Sequence, residues 1–206
     1  MMTACKQDDN TQLTTPIEPI IFSDVEVGQK FLYQRYVVND CDLLPDGFEW
    51  RDDTLVLKVI GLEESRIFLQ ESLTEYSENY YENTPPHQYP LNITDGGLSL
   101  TEVSGSRLFS SYSNDTLRLS PVRDTLVQSG CELSLSFAFP DVAHIPTFEL
   151  GDVSQTNKLI VGTPGLWGAD YLIYDDEKIY TAHSVGYTDV GPPFYTSASG
   201  WNLIEE

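Results

Sequence analysis

The chain has 206 residues and a formal net charge of −21 at pH 7, from 32 acidic and 11 basic side chains. Such a charge repels phosphate backbones and anionic headgroups, so we expect no nucleic-acid partner. Its 40% hydrophobic content suits one folded domain with a substantial core, and no apolar run approaches the roughly 18 residues of a membrane-spanning helix.

The stretch Met2-Thr3-Ala4-Cys5 places a small residue before a cysteine. It resembles the end of a bacterial lipoprotein signal, and Lys6-Gln7-Asp8-Asp9 resembles the signal that exports some lipoproteins to the outer face of the outer membrane. The resemblance implies lipid attachment at Cys5, a place in the cell envelope, and membrane contact through this anchor only. Because a complete signal also has a basic start and an apolar stretch, we expect about 15 further residues in the precursor. The alternative is a chance cysteine.

Residues 6–19 hold two prolines and few apolar side chains. They cannot bury enough surface to offset their loss of conformational entropy, so we expect a flexible tether. Residues 20–206 are then a single β domain.

Alternation of apolar and polar side chains dominates the rest of the chain and predicts β-strands. The expected strands cover residues 30–38, 54–60, 66–72, 131–139, 158–162 and 199–204, with hairpins over 54–72, 107–120 and 170–185. Over 69–81, apolar side chains also recur at helical spacing, so a short helix is the alternative there. The pattern predicts an all-β fold, an antiparallel sandwich or partly open barrel of about eight to eleven strands with long loops.

Four stretches share glycine and aromatic spacing with a loose class of proteins: FSDVEVGQKFLYQRY, DTLVLKVIG, SVGYT and GWNLIEE. They resemble secreted, β-rich bacterial lipoproteins, many of them uncharacterised. The resemblance implies an exported all-β domain and supplies no catalytic residues.

Cys41 and Cys131 remain once Cys5 is assigned to lipid attachment. In an oxidising compartment the two can form a disulfide, which in the chain-entropy account stabilises by on the order of 4 kcal/mol. Two buried thiols are the alternative, because Cys131 begins a run with an apolar face.

No catalytic, metal or cofactor motif is present, so we expect no cofactor and no metal, and the chemistry favours a non-catalytic role. The nucleophile-elbow pattern is absent, and the histidines are far apart at His87, His144 and His183. Among the acidic residues, Asp170, Asp175 and Glu177 are candidates for a carboxylate pair. Their alternative interpretation is polar strand ends and a turn.

The stretch 74–92 is rich in tyrosine, a residue that recognition loops favour because it offers a rigid ring with a polar tip. In the alternative interpretation these rings pack on the sheet edge. Trp50 and Trp201 lie beside strand-like runs, so we expect them in the core. The candidate ligand contacts are Tyr76, Tyr80, Tyr81, Tyr89 and Trp167.

These observations predict a surface-tethered lipoprotein domain that binds a glycan or a protein, or takes part in an envelope assembly. One alternative is a glycoside-hydrolase-like enzyme, favoured by a deep cleft with two facing carboxylates. The other is a carrier of apolar ligands, which requires a closed barrel with an apolar cavity.

Overall fold

The computed structural model describes residue 22 and residues 24–75, 85–95, 97–113, 115–119, 128–133, 142–165, 168–188 and 195–205. Within these ranges the protein is all-β, apart from single 3-10 turns at Cys41–Leu43 and Ser110–Tyr112. The strands are β1 Lys30–Val38, β2 Phe48–Glu63, β3 Arg66–Glu75, β4 His87–Thr94, β5 Gly97–Ser99, β6 Thr116–Leu117, β7 Gln128–Ser129, β8 Glu132–Leu133, β9 Val142–Leu150, β10 Val153–Gly165, β11 Gly168–Tyr174, β12 Ile179–Thr188 and β13 Tyr195–Glu205.

One antiparallel sheet contains eleven of these strands, in the order β6-β5-β4-β3-β2-β1-β13-β12-β11-β10-β9, and it nearly closes into a barrel. Side chains join the two ends of the sheet: Thr163 of β10 donates to Asp115, beside β6, at 3.3 Å, and the Tyr174 hydroxyl of β11 donates to the carbonyl of Arg118 at 2.8 Å. Strands β7 and β8 pair separately. The predicted all-β antiparallel fold is confirmed, in its form as a partly open barrel.

Two predicted hairpins are confirmed. Strands β2 and β3 pair from Glu63 opposite Arg66, and β11 pairs with β12 across the turn at Asp175. The Asp175 carboxylate accepts hydrogen bonds from the backbone N–H groups of Glu177 and Lys178, which is the local bonding that favours Asp in turns.

Two apolar clusters occupy opposite faces of the sheet. The inner core fills the barrel, and the outer core lies outside it, against β9–β13. Strand β1 serves both, since Phe31 and Tyr33 point inward while Tyr36 and Val38 point outward. The sequence KFLYQRYVV therefore buries one face in its first half and the other in its second.

Strand β11 is buried on both faces, which its run of apolar residues reflects. Leu172 and Tyr174 belong to the inner core, whereas Tyr171 and Ile173 belong to the outer core. Strands β9 to β12 thus form a shared wall between the two clusters. A substitution that shifts the backbone of these strands on one face therefore also moves the side chains that pack on the other face.

Some sequence predictions are wrong. The hairpin predicted over 107–120 is not formed, because residues 107–113 take up turns and a 3-10 helix and only Thr116–Leu117 pairs as a strand. The helical alternative is wrong over residues 69–75, which lie in β3. Of the strand predicted at 131–139, Glu132–Leu133 is a strand, and 134–139 lies outside the described residues.

Candidate functional site

A cavity of about 420 Å³ lies inside the barrel and is the candidate functional site. The strand register explains its polar wall. Asp170 of β11 is opposite Ser184 of β12, which is opposite Ser199 of β13, so their side chains share one face. That face is the inner one, because Asp170 is two residues from Leu172 of the inner core.

The next row of the same wall combines an arginine with a tryptophan. Arg35 of β1 is opposite Trp201, which is opposite Ala182, and all three line the cavity. Trp201 is partly buried and packs against the inner core, where the sequence analysis expects it. Its ring forms both core and cavity wall.

A partly buried ion pair joins β1 to β2. Arg35 donates to Asp53 Oδ2 at 3.0 Å, and Asp53 is only 6% exposed. Asp53 Oδ1 is buried and has no hydrogen-bond partner in the described part of the chain. A buried acceptor without a partner costs free energy, so a hydrogen-bond donor on a ligand in the cavity would stabilise this oxygen.

Residues 103–112, here called the cap segment, supply a second part of the cavity lining. A buried carboxylate on β3 holds it in place. Glu71 accepts hydrogen bonds from the Ser106 hydroxyl and from the Arg107 backbone N–H at 2.8 Å, while the Tyr89 hydroxyl of β4 donates to it at 2.5 Å. The Ser106 oxygen accepts in turn from the backbone N–H of Phe109 at 2.9 Å. The cap segment is therefore fixed by a saturated polar network.

Tyr112, at the end of the cap segment, has a buried hydroxyl with no partner among the described residues. Burial raises the pKa of Tyr112 well above its ordinary value, and the negative charges of Asp170 and Asp115 raise it further. The phenol therefore stays protonated. A third unpartnered atom, His87 Nε2, lies beside the position of Gly105, which also lines the cavity.

Of the predicted ligand contacts, Tyr89 is the one that lies among the described residues. Cys5, Tyr76, Tyr80, Tyr81 and Trp167 lie outside the described residues. Tyr89 is 3% exposed and donates to Glu71, so its prediction as an exposed ligand contact is wrong. The reason is that β4 begins at His87, within the stretch predicted as a loop, and carries Tyr89 into the inner core.

The three acidic candidates lie in two different places in the structure. Asp170 lines the cavity, whereas Asp175 and Glu177 lie in the β11–β12 turn. Burial favours a raised pKa for Asp175, but hydrogen bonds from Lys158, Tyr180 and two backbone N–H groups outweigh it and lower that pKa. Asp175 is thus a turn residue, in line with the alternative interpretation.

A disulfide joins Cys41 to Cys131, the pairing expected from the sequence, with Cα atoms 5.5 Å apart. It covers the outer core, where His183 is buried among Tyr36, Tyr171 and Phe148. Since a carbonyl only accepts, His183 Nε2–H donates to the Cys131 carbonyl at 3.0 Å, and Nδ1 accepts from the Tyr36 hydroxyl at 2.7 Å. Burial lowers the pKa of His183 to about 4, despite the opposing hydrogen bond to Cys131. His183 is a neutral structural residue.

Within the described ranges, no group of three or more His, Cys, Asp or Glu side chains is placed to hold a metal ion. None of the helices in these ranges is long and apolar enough to cross a membrane.

No family model, curated protein or solved structure matches the chain. The resemblance to bacterial surface lipoproteins therefore stays a prediction, and function is inferred from the cavity itself. Sequence reasoning missed Arg35, Asp53 and Tyr112. The one local signal was an arginine within the apolar alternation of β1.

Proposed function

We propose that the chain is a non-catalytic binding domain that holds part of a glycan in the barrel cavity. The observation that carries the proposal is that a cavity of about 420 Å³ is lined by Asp53 and Tyr112, whose buried Oδ1 and hydroxyl oxygen have no hydrogen-bond partner among the described residues. Buried polar groups normally have partners, and a hydroxyl-rich ligand would supply them. The volume lies within the usual range for small-ligand sites.

The chemistry of the wall supports a saccharide over an apolar ligand. Sugars present hydroxyl groups and apolar C–H faces, and Trp201 and Tyr112 offer aromatic surface beside the serine hydroxyls of β12 and β13. Charged side chains also line the cavity, whereas the rest of the barrel is filled by the inner core. A carrier of apolar ligands would need the opposite distribution.

The proposal includes a surface location. Cys5 would carry the lipid, residues 6–19 would act as the tether, and the barrel would face the medium. The tyrosine-rich stretch follows β3, whose Leu73 lines the cavity, so Tyr76, Tyr80 and Tyr81 are proposed as further contacts for a longer glycan. Labelled palmitate should attach to the full-length precursor and not to Cys5→Ser; equal labelling would contradict the anchor.

A glycan array, followed by calorimetry on the hits, tests binding. The non-acylated chain should bind a glycan, and Asp53→Asn should weaken that binding at least tenfold, because the charged acceptor and the Arg35 pair are lost. Asp52→Asn is the matched control, since Asp52 is exposed one residue away. Equal losses in both variants, or no glycan bound by the wild type, would contradict the proposal.

A glycoside hydrolase is the second candidate, because Asp53 and Asp170 line the same cavity. Release of reducing ends from any bound glycan by the wild type, abolished in both Asp53→Asn and Asp170→Asn, would favour the enzyme. Bound glycan recovered intact after prolonged incubation would favour the binding domain.

A further inference from the structure

The charged side chains that line the cavity balance one another. In the part of the chain that the structure describes, Arg35 and Arg107 are positive, and Asp53 and Asp170 are negative. Because these charges are equal and opposite, the wall as a whole attracts neither anions nor cations strongly. Recognition of a ligand therefore depends on the individual hydrogen-bonding groups of the wall and on how they are spaced.

A bulge between β1 and β2 places two of these groups together. At Arg35 the register of the two strands shifts, so that this single residue of β1 faces residues 51–53 of β2. Arg35 and Asp53 lie on the inner face, each two residues from a member of the inner core, Tyr33 and Leu55. Bulges redirect side chains and are frequent beside active sites. The local backbone thus brings Arg35 and Asp53 to the cavity as a pair.

The ion pair offers a hydrogen-bond acceptor beside hydrogen-bond donors. Arg35 Nη1 donates to Asp53 Oδ2 at 3.0 Å, which uses one of the five N–H groups of the guanidinium. The side chain of Arg35 is 42% exposed, so its other N–H groups can reach a ligand. Asp53 Oδ1 is buried and has no hydrogen-bond partner within the described ranges. A ligand can therefore donate to Asp53 and accept from Arg35 at neighbouring positions.

Two hydroxyl groups on adjacent carbons match this arrangement. One can donate to Asp53 Oδ1 while its neighbour accepts from the Arg35 guanidinium, and hydrogen bonds to charged groups are about twice as strong as neutral ones. A single hydroxyl reaches only one of the two groups, and equatorial hydroxyls one ring carbon further apart point away from each other. Trp201 lies opposite Arg35 on β13 and also lines the cavity, so its ring can pack on the C–H face of a sugar.

Resting on the proposed function, we infer that the Arg35–Asp53 pair selects a ring with a vicinal diol, and that Arg35 determines this specificity. The inference adds a geometric requirement to the glycan site. A sugar whose adjacent hydroxyls are substituted or missing should not bind at this position.

An NMR titration of the full chain with two isomeric probes tests the inference. The probes are 1,2-cyclohexanediol and 1,3-cyclohexanediol, each used as its mixture of cis and trans forms. They share composition and ring and differ only in the spacing of the two hydroxyls. The 1,2-isomer should bind at least fivefold more tightly and should shift the signal of the Trp201 indole N–H. Equal affinity for the two isomers, or no binding of the 1,2-isomer, would overturn the inference.

Two variants of Arg35 test its role. Arg35→Met removes the donors and should lower the affinity for the 1,2-isomer to that for the 1,3-isomer. If that variant does not fold, Arg35→Lys keeps a positive charge beside Asp53 but lacks the planar fork, so it should lose the preference as well. Arg66→Met is the matched control, because Arg66 pairs with Glu102 at an exposed position outside the cavity lining. An unchanged preference in a folded Arg35→Lys would overturn the assignment to Arg35.

The glycan array separates this inference from the proposed function. Glycan binding together with equal affinity for the two isomers would overturn the diol requirement and leave the glycan site in place. A preference for the 1,2-isomer that depends on Arg35, in a chain that binds no glycan on the array, would support the diol site and contradict the glycan.

Discussion

The outer and inner sides of the sheet bury polar groups in different ways. On the outer side, both ring nitrogens of His183 have partners, and so does the Tyr36 hydroxyl. On the inner side, Asp53 Oδ1 and the Tyr112 hydroxyl have none in the part of the chain that the structure describes. A saturated network is how a fold stabilises buried polarity, whereas an unsaturated one beside a cavity indicates a ligand.

Gly200→Ala should destabilise the packing on the outer side of the sheet more than any other change considered below. A Cβ at this position would lie 2.2 Å from the Ala182 carbonyl oxygen and 2.5 Å from the Tyr36 hydroxyl. Backbone cannot move away cheaply, so we expect a loss of about 3 kcal/mol in the free energy of unfolding, measured by urea denaturation.

Gly186→Ala is the matched control on the neighbouring strand, where the nearest atom to a new Cβ is the Ser197 hydroxyl at 3.8 Å. We expect a change within about 1 kcal/mol. Similar losses at Gly200 and Gly186 would contradict the assigned contact between Gly200 and Tyr36.

The neutral His183 should make the outer side sensitive to acid. Its pKa is about 4 in the folded state and about 6.5 when unfolded, so between these values the unfolded state binds more protons and stability rises with pH. The contribution of His183 to the free energy of unfolding is fully present above pH 6.5, decreases below that pH, and is lost as pH falls through 4. It amounts to roughly 3 kcal/mol in total and about 2 kcal/mol between pH 7 and pH 5.

Urea unfolding at several pH values measures how the free energy of unfolding changes with pH. His183→Gln should remove the part of that change that comes from the imidazole. If the variant does not fold, an NMR titration of the wild-type ring provides the test. An imidazole that gains its proton near pH 6.5 in the folded chain would contradict the assignment.

Glu71→Gln should loosen the cap segment. The amide replaces one of two oxygens that together accept three hydrogen bonds, so a buried donor is left facing another donor. We expect a loss of about 2 kcal/mol in unfolding free energy and faster amide exchange at Arg107. Glu64→Gln, on the exposed β2–β3 turn, should change neither. Unchanged exchange at Arg107 in Glu71→Gln would show that other contacts hold the cap segment.

The architecture could largely be predicted from the sequence where apolar and polar residues alternate along one strand. Strand β1 and the β2–β3 and β11–β12 hairpins follow from such local patterns. Strand β9 contains a proline and was not predicted, yet it lies at the sheet edge, where a missing N–H is tolerated.

The predicted hairpin at 107–120 failed because tertiary packing overrode its local pattern. Leu108, Phe109 and Tyr112 are buried in the inner core from turns and a 3-10 helix instead of a strand. The turn-forming residues Ser113-Asn114-Asp115 favour a hairpin by their local hydrogen bonding, but burial of the cap segment's side chains in the inner core determines its conformation instead.

The cavity could not be predicted, because its residues meet only through the strand register. Arg35 and Asp53 come together across β1 and β2, while Asp170 arrives from β11 and Tyr112 from the cap segment. No local spacing encodes these distances. The disulfide could be predicted from the sequence. Two cysteines remain once Cys5 is assigned to lipid attachment in a chain expected to be exported, so one pairing is possible.

The most direct test compares Tyr36→Phe with Tyr112→Phe, for both unfolding free energy and affinity for the best glycan. Tyr36→Phe removes a hydroxyl that binds His183, so it should lose about 1 to 2 kcal/mol of stability and keep its affinity. Tyr112→Phe removes a hydroxyl that has no partner in the described ranges, so its stability should be unchanged or slightly higher while its affinity falls at least fivefold. A Tyr112→Phe variant that loses as much stability as Tyr36→Phe and binds the glycan like the wild type would contradict a ligand site in the cavity.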